Sequence, residues 1–150
     1  MAAQTRFLSV EDVVLIHADT LGHEGGLAGI RDRGLLESAV MMARQQFGGV
    51  LLHRTLAEQA AAYLFHLCRN HPFNDGNKRA AALAALVFLD ANEVGPLPEP
   101  GPLEELTMRC AAGEIGKDEV TALFRSQLKA VAASKRKKSP GRKRGEDRRR

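Results

Sequence analysis

The chain has 150 residues, 44% of them hydrophobic, with one Tyr, no Trp and two Cys, which fits one domain with its own core. No apolar run reaches the roughly 20 residues of a membrane helix, the N-terminus lacks the basic opening and apolar centre of a secretory signal, and two cysteines set in helical patterns exclude a disulfide scaffold; a cytoplasmic setting is expected. The net charge of +4 hides a division, because ten Lys/Arg and two Asp/Glu lie from Ser134 onward and twelve and sixteen before it. The expected organisation is therefore a folded domain over residues 1–133 and a disordered basic tail over 134–150 with too little apolar surface to offset its ordering entropy.

Ser9 before Val10, Glu11 and Asp12 predicts a capped helix start, and Val13, Val14, Ile16 and Leu21 carry the helical spacing until Gly22. Residues 22–34 read as a glycine-rich loop, and Leu35, Leu36, Ala39, Val40 and Ala43 as a second helix. The stretch from Phe47 to Thr55 breaks that pattern and reads as a plain connector or a small hairpin flap able to pair with a target segment. Thr55 and Glu58 form a capping box opening a helix to Asn70, where Pro72 forbids continuation. A further helix starts at Gly76 or Asn77 and runs to Asn92, its run from Ala80 to Leu89 being apolar almost all round, as a buried central helix would be. The Gly/Pro stretch 95–102 reads as a connector, followed by helices over about Leu103–Ala112 and Lys117–Ala132. The fold class predicted is all-α, a compact bundle of about six helices with a possible flap.

Between two of these helices lies His71-Pro72-Phe73-Asn74-Asp75-Gly76-Asn77-Lys78-Arg79. The first four N–H groups of a helix have no intrahelical acceptor and sit at the positive end of its dipole, so the amides of Gly76, Asn77, Lys78 and Arg79 can hold an anion. Gly76 brings no Cβ against a ligand, while Lys78 and Arg79 place two cations where cations are ordinarily disfavoured, an arrangement that a bound polyanion explains. Asp75 would repel a bare phosphate, and a magnesium ion between carboxylate and phosphates resolves the conflict. His71 is placed to take a proton from an attacking hydroxyl. Base, metal ligand and oxyanion cradle are the parts of phosphoryl or nucleotidyl transfer. Each residue alone has a plainer reading: a loop histidine, an Asn-Asp-Gly turn in which Asn74 or Asp75 caps a helix, a solvated Lys-Arg pair. Their conjunction favours catalysis.

These nine residues resemble without a gap the core motif of the Fic/Doc superfamily, and specifically its Doc (death-on-curing) toxin branch, whose pattern is His-x-Phe-x-Asp/Asn-Ala/Gly-Asn-Lys-Arg. The resemblance extends over about residues 6 to 130, through Gly25–Asp32, Glu37-Ser38-Ala39 and Thr107–Glu114. It implies that His71 is the general base, that Asp75 holds Mg2+, that Gly76, Asn77, Lys78 and Arg79 bind the phosphates of ATP, and that Pro72 and Phe73 are structural, with Phe73 fixing the loop from the core. It further implies a toxin of a toxin–antitoxin module, a protein kinase phosphorylating a threonine of the translation factor EF-Tu and so blocking protein synthesis. Its antitoxin would be Phd-like, with a C-terminal segment folding into a groove on the toxin.

Fic relatives transfer AMP instead and usually carry Gly where this chain has Lys78; the long cationic side chain should shift the nucleotide so that its γ-phosphate faces the base. Gly76 points slightly the other way, since AMP-transferring members carry Gly there too. The competing class is a nucleic-acid-binding module built on the tail, whose cations would bind phosphate backbone without base readout because no aromatics interleave them. His66 lies about 140° around the helix from His71, which argues against a shared metal face. His17, His23 and His53 lack ligand spacing, and Cys68 and Cys110 read as small core residues.

Overall fold

The protein is seen in a computed structural model that describes residues 4–138. Six helices and one hairpin follow in the order α1 (Val10–Glu24), α2 (Arg33–Met42), β1 (Gln46–Phe47), β2 (Val50–Leu51), α3 (Leu56–Asn70), α4 (Asn77–Ala91), α5 (Pro100–Ala111) and α6 (Lys117–Lys138). The all-α bundle expected from the sequence is what forms. Among the described residues no helix is long and apolar enough to cross a membrane.

Two helix starts follow directly from local chemistry. Ser9 Oγ accepts from the Asp12 amide at 3.0 Å while Asp12 Oδ2 accepts from the Ser9 amide at 2.8 Å, and Thr55 and Glu58 repeat the exchange at α3. Each satisfies amides that a helix leaves unpaired. The flap is a hairpin: Phe47 pairs with Val50 antiparallel across Gly48-Gly49. Both glycines have positive φ, 56° and 81°, as a two-residue hairpin turn requires.

Helix α3 packs against α2, α4, α5 and α6, and α4 packs against α1, α3 and α5. The hub is thus α3, with Ala60, Ala61, Ala62, Tyr63 and Leu64 all buried; small side chains over one turn let neighbouring helices approach closely. Helix α4, apolar almost all round, is not buried all round. Ala80, Ala81, Ala84, Ala85, Phe88 and Leu89 are buried, while Ala82, Leu83, Leu86 and Val87 are only partly so. The N-terminal segment is tied down by Tyr63, whose hydroxyl accepts from the Leu8 amide at 2.8 Å, and by Asn92, which bonds both polar backbone groups of Arg6.

Three boundaries differ from the sequence reading. Helix α1 runs through Gly22 to Glu24, because packing against α2 and α4 outweighs a glycine penalty of about 1 kcal/mol. Helix α5 begins at Pro100 rather than Leu103; proline is tolerated in a first turn, where its missing N–H would have no acceptor. Helix α6 continues to Lys138 rather than ending near Ala132; extending an existing helix avoids the cost of nucleation. The remainder of the basic tail, with its expected nucleic-acid contact, lies outside the described residues.

Candidate active site

Pro72 stops α3, and His71 takes up the left-handed conformation (φ 52°, ψ 54°) as its cap. That conformation costs a non-glycine residue about 1 kcal/mol, so something must hold it. Arg31 does. Its Nε donates to the His71 carbonyl at 2.7 Å and its Nη2 to the Asn70 carbonyl at 3.0 Å. One guanidinium thereby satisfies two carbonyls that the helix end leaves unpaired and places a cation at the negative end of the dipole. The His71 side chain is exposed.

Arg31 is delivered by the glycine-rich segment, which runs antiparallel beside the motif. Ile30 bridges Phe73, the Arg31 and Asp32 amides donate to the Pro72 carbonyl at 2.7 and 3.0 Å, and the Asn74 amide donates to the Gly29 carbonyl at 3.1 Å. Asn74 Nδ2 adds a bond to the Ala28 carbonyl at 3.0 Å. Gly29 has φ 108°, a conformation strained for any other residue, and a Cβ there would lie 2.8 Å from Asn74 Nδ2 and displace that side chain. What reads in sequence as a glycine-rich loop pairs with the motif through an isolated antiparallel bridge.

On the core side, Pro72 and Phe73 are buried, Phe73 completely. Asn77 is also buried, 4% exposed, with Oδ1 accepting from the Phe73 amide at 2.9 Å and Nδ2 donating to the Phe73 carbonyl at 3.0 Å. The side chain expected at a phosphate is therefore turned inward as a loop clamp, and what Asn77 offers an anion is its backbone amide. His17 of α1 lies flat on Phe73, ring centroids 3.7 Å apart and planes within 4°, with its Nε2 2.7 Å from the Asp75 carbonyl oxygen. A carbonyl only accepts, so Nε2 carries the hydrogen.

Helix α4 then opens at Gly76, itself left-handed (φ 75°, ψ 20°). The Asp75 carboxylate accepts from the Gly76 amide at 2.9 Å and from the Leu27 amide at 3.3 Å. Those two amides, assisted by Arg79 and then His17, hold the exposed carboxyl below its ordinary value, so it is ionised at neutral pH. The four-amide cradle is thereby reduced by one, since Gly76 donates to Asp75. The amides of Asn77 and Lys78 stand at the head of α4, and the side chains of Lys78 and Arg79 are exposed beside them.

Among the described residues no group of three or more His, Cys, Asp or Glu could hold a metal ion. A single ionised carboxylate with open lone pairs fits magnesium nevertheless, because that ion takes one or two protein carboxylates and completes its sphere with phosphates and water. His66 belongs elsewhere: its Nε2 lies 3.1 Å from Lys117 Nζ, joining α3 to α6. Cys68 and Cys110 are buried free thiols. Two residues that shape the motif, His17 and Arg31, carry no local mark of it in sequence, since their partners lie 58 and 40 residues away.

A helical bundle presents an exposed imidazole, an ionised carboxylate and a cationic helix start on one loop, and the chain belongs to the Fic/DOC family, whose profile matches residues 7–89. Two of its relatives are Doc proteins. It is 35% identical over 122 residues to the protein kinase doc of Escherichia phage P1, covering 80% of this chain and 94% of that protein. It is 41% identical over 90 residues to the toxin Doc of Mycolicibacterium smegmatis, covering 60% of this chain and 67% of the relative.

Proposed function

We propose that the chain is the toxin of a toxin–antitoxin module and a protein kinase that moves the γ-phosphate of ATP to a hydroxyl, a threonine of a translation factor such as EF-Tu, in the cytoplasm. The observation that carries this reading is the motif loop itself, where an exposed His71, an ionised Asp75 and the head of α4 with Lys78 and Arg79 share one pinned segment. The α4 amides, Lys78 and Arg79 take the phosphates. Asp75 holds Mg2+, which when bound offsets phosphate charge. The acceptor oxygen attacks the γ-phosphorus, the bond to the bridging oxygen of ADP breaks, and the hydroxyl proton passes to the His71 imidazole. Kinship with proteins named as a kinase and as a toxin supports both halves of the reading. The partner is an antitoxin of Phd type, whose C-terminal segment covers a groove on this chain.

The test is to incubate the protein with bacterial lysate, Mg2+ and ATP labelled at either the α- or the γ-phosphate. Label passing to protein from the γ position alone is the expected result. Label from the α position would make it an AMP transferase, and no transfer from either would overturn the enzyme assignment.

A further inference from the structure

The two halves of the proposed chemistry are held from outside the motif by separate residues, one at each end of the loop. The Arg31 side chain bonds only at the His71 end, to the carbonyls of His71 and Asn70 at 2.7 and 3.0 Å. His17 hydrogen-bonds only the Asp75 end, through Nε2 to the Asp75 carbonyl at 2.7 Å, and its ring also stacks on Phe73 in the middle of the loop at 3.7 Å. Neither side chain bonds any other motif group among the described residues. From this we infer that Arg31 is the positioning residue of the base and His17 the positioning residue of the metal-and-phosphate half, so that the two functions of one nine-residue loop are set independently. The inference rests on the kinase reading for its kinetic consequences but not for its structural ones.

The physical argument is one of constraint. His71 is a non-glycine residue in the left-handed region, a conformation that persists only where surroundings enforce it. Without the guanidinium the two carbonyls turn to water and the residue relaxes, which re-aims its imidazole. At the other end, the direction of the Asp75–Gly76 peptide decides where the carboxylate meets the Leu27 and Gly76 amides and where α4 begins. The His17 ring fixes that peptide from below: a Cβ on Gly76 would lie 3.6 Å from its Nε2. His17 is 4% exposed, so its ring is locked by the core and transmits little freedom to the loop. Groups that orient a ligating or reacting side chain typically cost about 10–100-fold when removed, and misplacing a reacting atom by an ångström costs on the order of 100-fold.

The test compares the full-length wild type with Arg31→Ala, His17→Phe (which keeps the stack and loses the donor) and His17→Gln (which restores a donor). Amide hydrogen exchange, needing no nucleotide, should rise at His71–Phe73 in Arg31→Ala and at Asp75–Asn77 and Leu27 in His17→Phe, with helix cores unchanged. Calorimetric titration with Mg·ATP in a His71→Ala background should show about a 10-fold loss for His17→Phe, partial recovery for His17→Gln, and no change for Arg31→Ala. In transfer assays Arg31→Ala should lower kcat about 10-fold at constant KM for Mg·ATP, and His17→Phe should chiefly raise KM. Exchange rising over the whole loop in both variants, or both shifting kcat and KM alike, overturns the division. A wild type that takes up no Mg·ATP would instead defeat the kinase reading and leave the exchange comparison to decide this one.

Discussion

Asn77 grips Phe73 by both ends of its amide, accepting from the Phe73 N–H at 2.9 Å and donating to its carbonyl at 3.0 Å. A side chain at the head of α4 thus reaches back over the loop, closing the turn that carries Asp75 and Gly76. The motif is held together by its own asparagine.

Replacing Asn77 by Leu keeps most of the volume and leaves both Phe73 backbone groups buried without a partner. Each such group costs about 1–3 kcal/mol, so Asn77→Leu should lose about 2–4 kcal/mol in urea unfolding, with transfer activity and nucleotide binding falling together. Unchanged stability would contradict the clamp.

His71→Gly separates chemistry from fold. The side chain is exposed and the residue left-handed, where glycine is preferred by about 1 kcal/mol. The variant should be as stable as the wild type or up to about 1 kcal/mol more so, while losing growth inhibition and transfer. A toxic His71→Gly protein would remove the base from the reaction.

Arg79→Ala should weaken Mg·ATP binding by about 2–3 kcal/mol, the worth of a charge-assisted contact to phosphate, as read by calorimetry. Lys78→Gly bears on which phosphate faces the base. If the long ammonium sets the nucleotide's position, this variant should lose γ-transfer and acquire some labelling from α-labelled ATP. Retention of full γ-transfer would remove Lys78 from that role.

Acid should destabilise the protein through α3 and α6. Burial first, then the Lys117 and His53 charges, push His66 down from 6.5 to about 4, and burial and Lys117 lower His53 in the same direction. Below pH 6.5 the unfolded chain binds protons that folded His66 refuses, so its contribution is complete above that pH and is lost as pH falls from 6.5 through 4. With the ring only partly shielded from water, the loss is on the order of 2 kcal/mol. His66→Phe should flatten the dependence of urea midpoints on pH in that window; a slope equal to the wild type's would exclude His66 as its source.

Much of this was legible one residue at a time. The Ser9–Asp12 and Thr55–Glu58 boxes act across three residues, so spacing alone reveals them. Pro72 ends α3 through its own ring, and the order of residues from His71 to Arg79 places an imidazole, a carboxylate and two cations around a helix start whatever surrounds them. The sequence by itself therefore determined the helical bundle, the position of the motif and the family.

Only the tertiary structure decided how the motif is held. His17 reads only as a histidine without ligand spacing, and Arg31 lies in the Gly25–Asp32 stretch of the resemblance with no role attached, because their bonds close over 58 and 40 residues. Asn77 reads as a phosphate ligand until the path of the loop turns its amide onto Phe73. Likewise Gly22 reads as a helix stop and Pro100 as part of a connector, and both are helical only because packing and first-turn geometry override their local preference. Short-range bonds depend on which residues are neighbours in sequence; the direction of a peptide or an imidazole depends on which segments the folded core brings alongside.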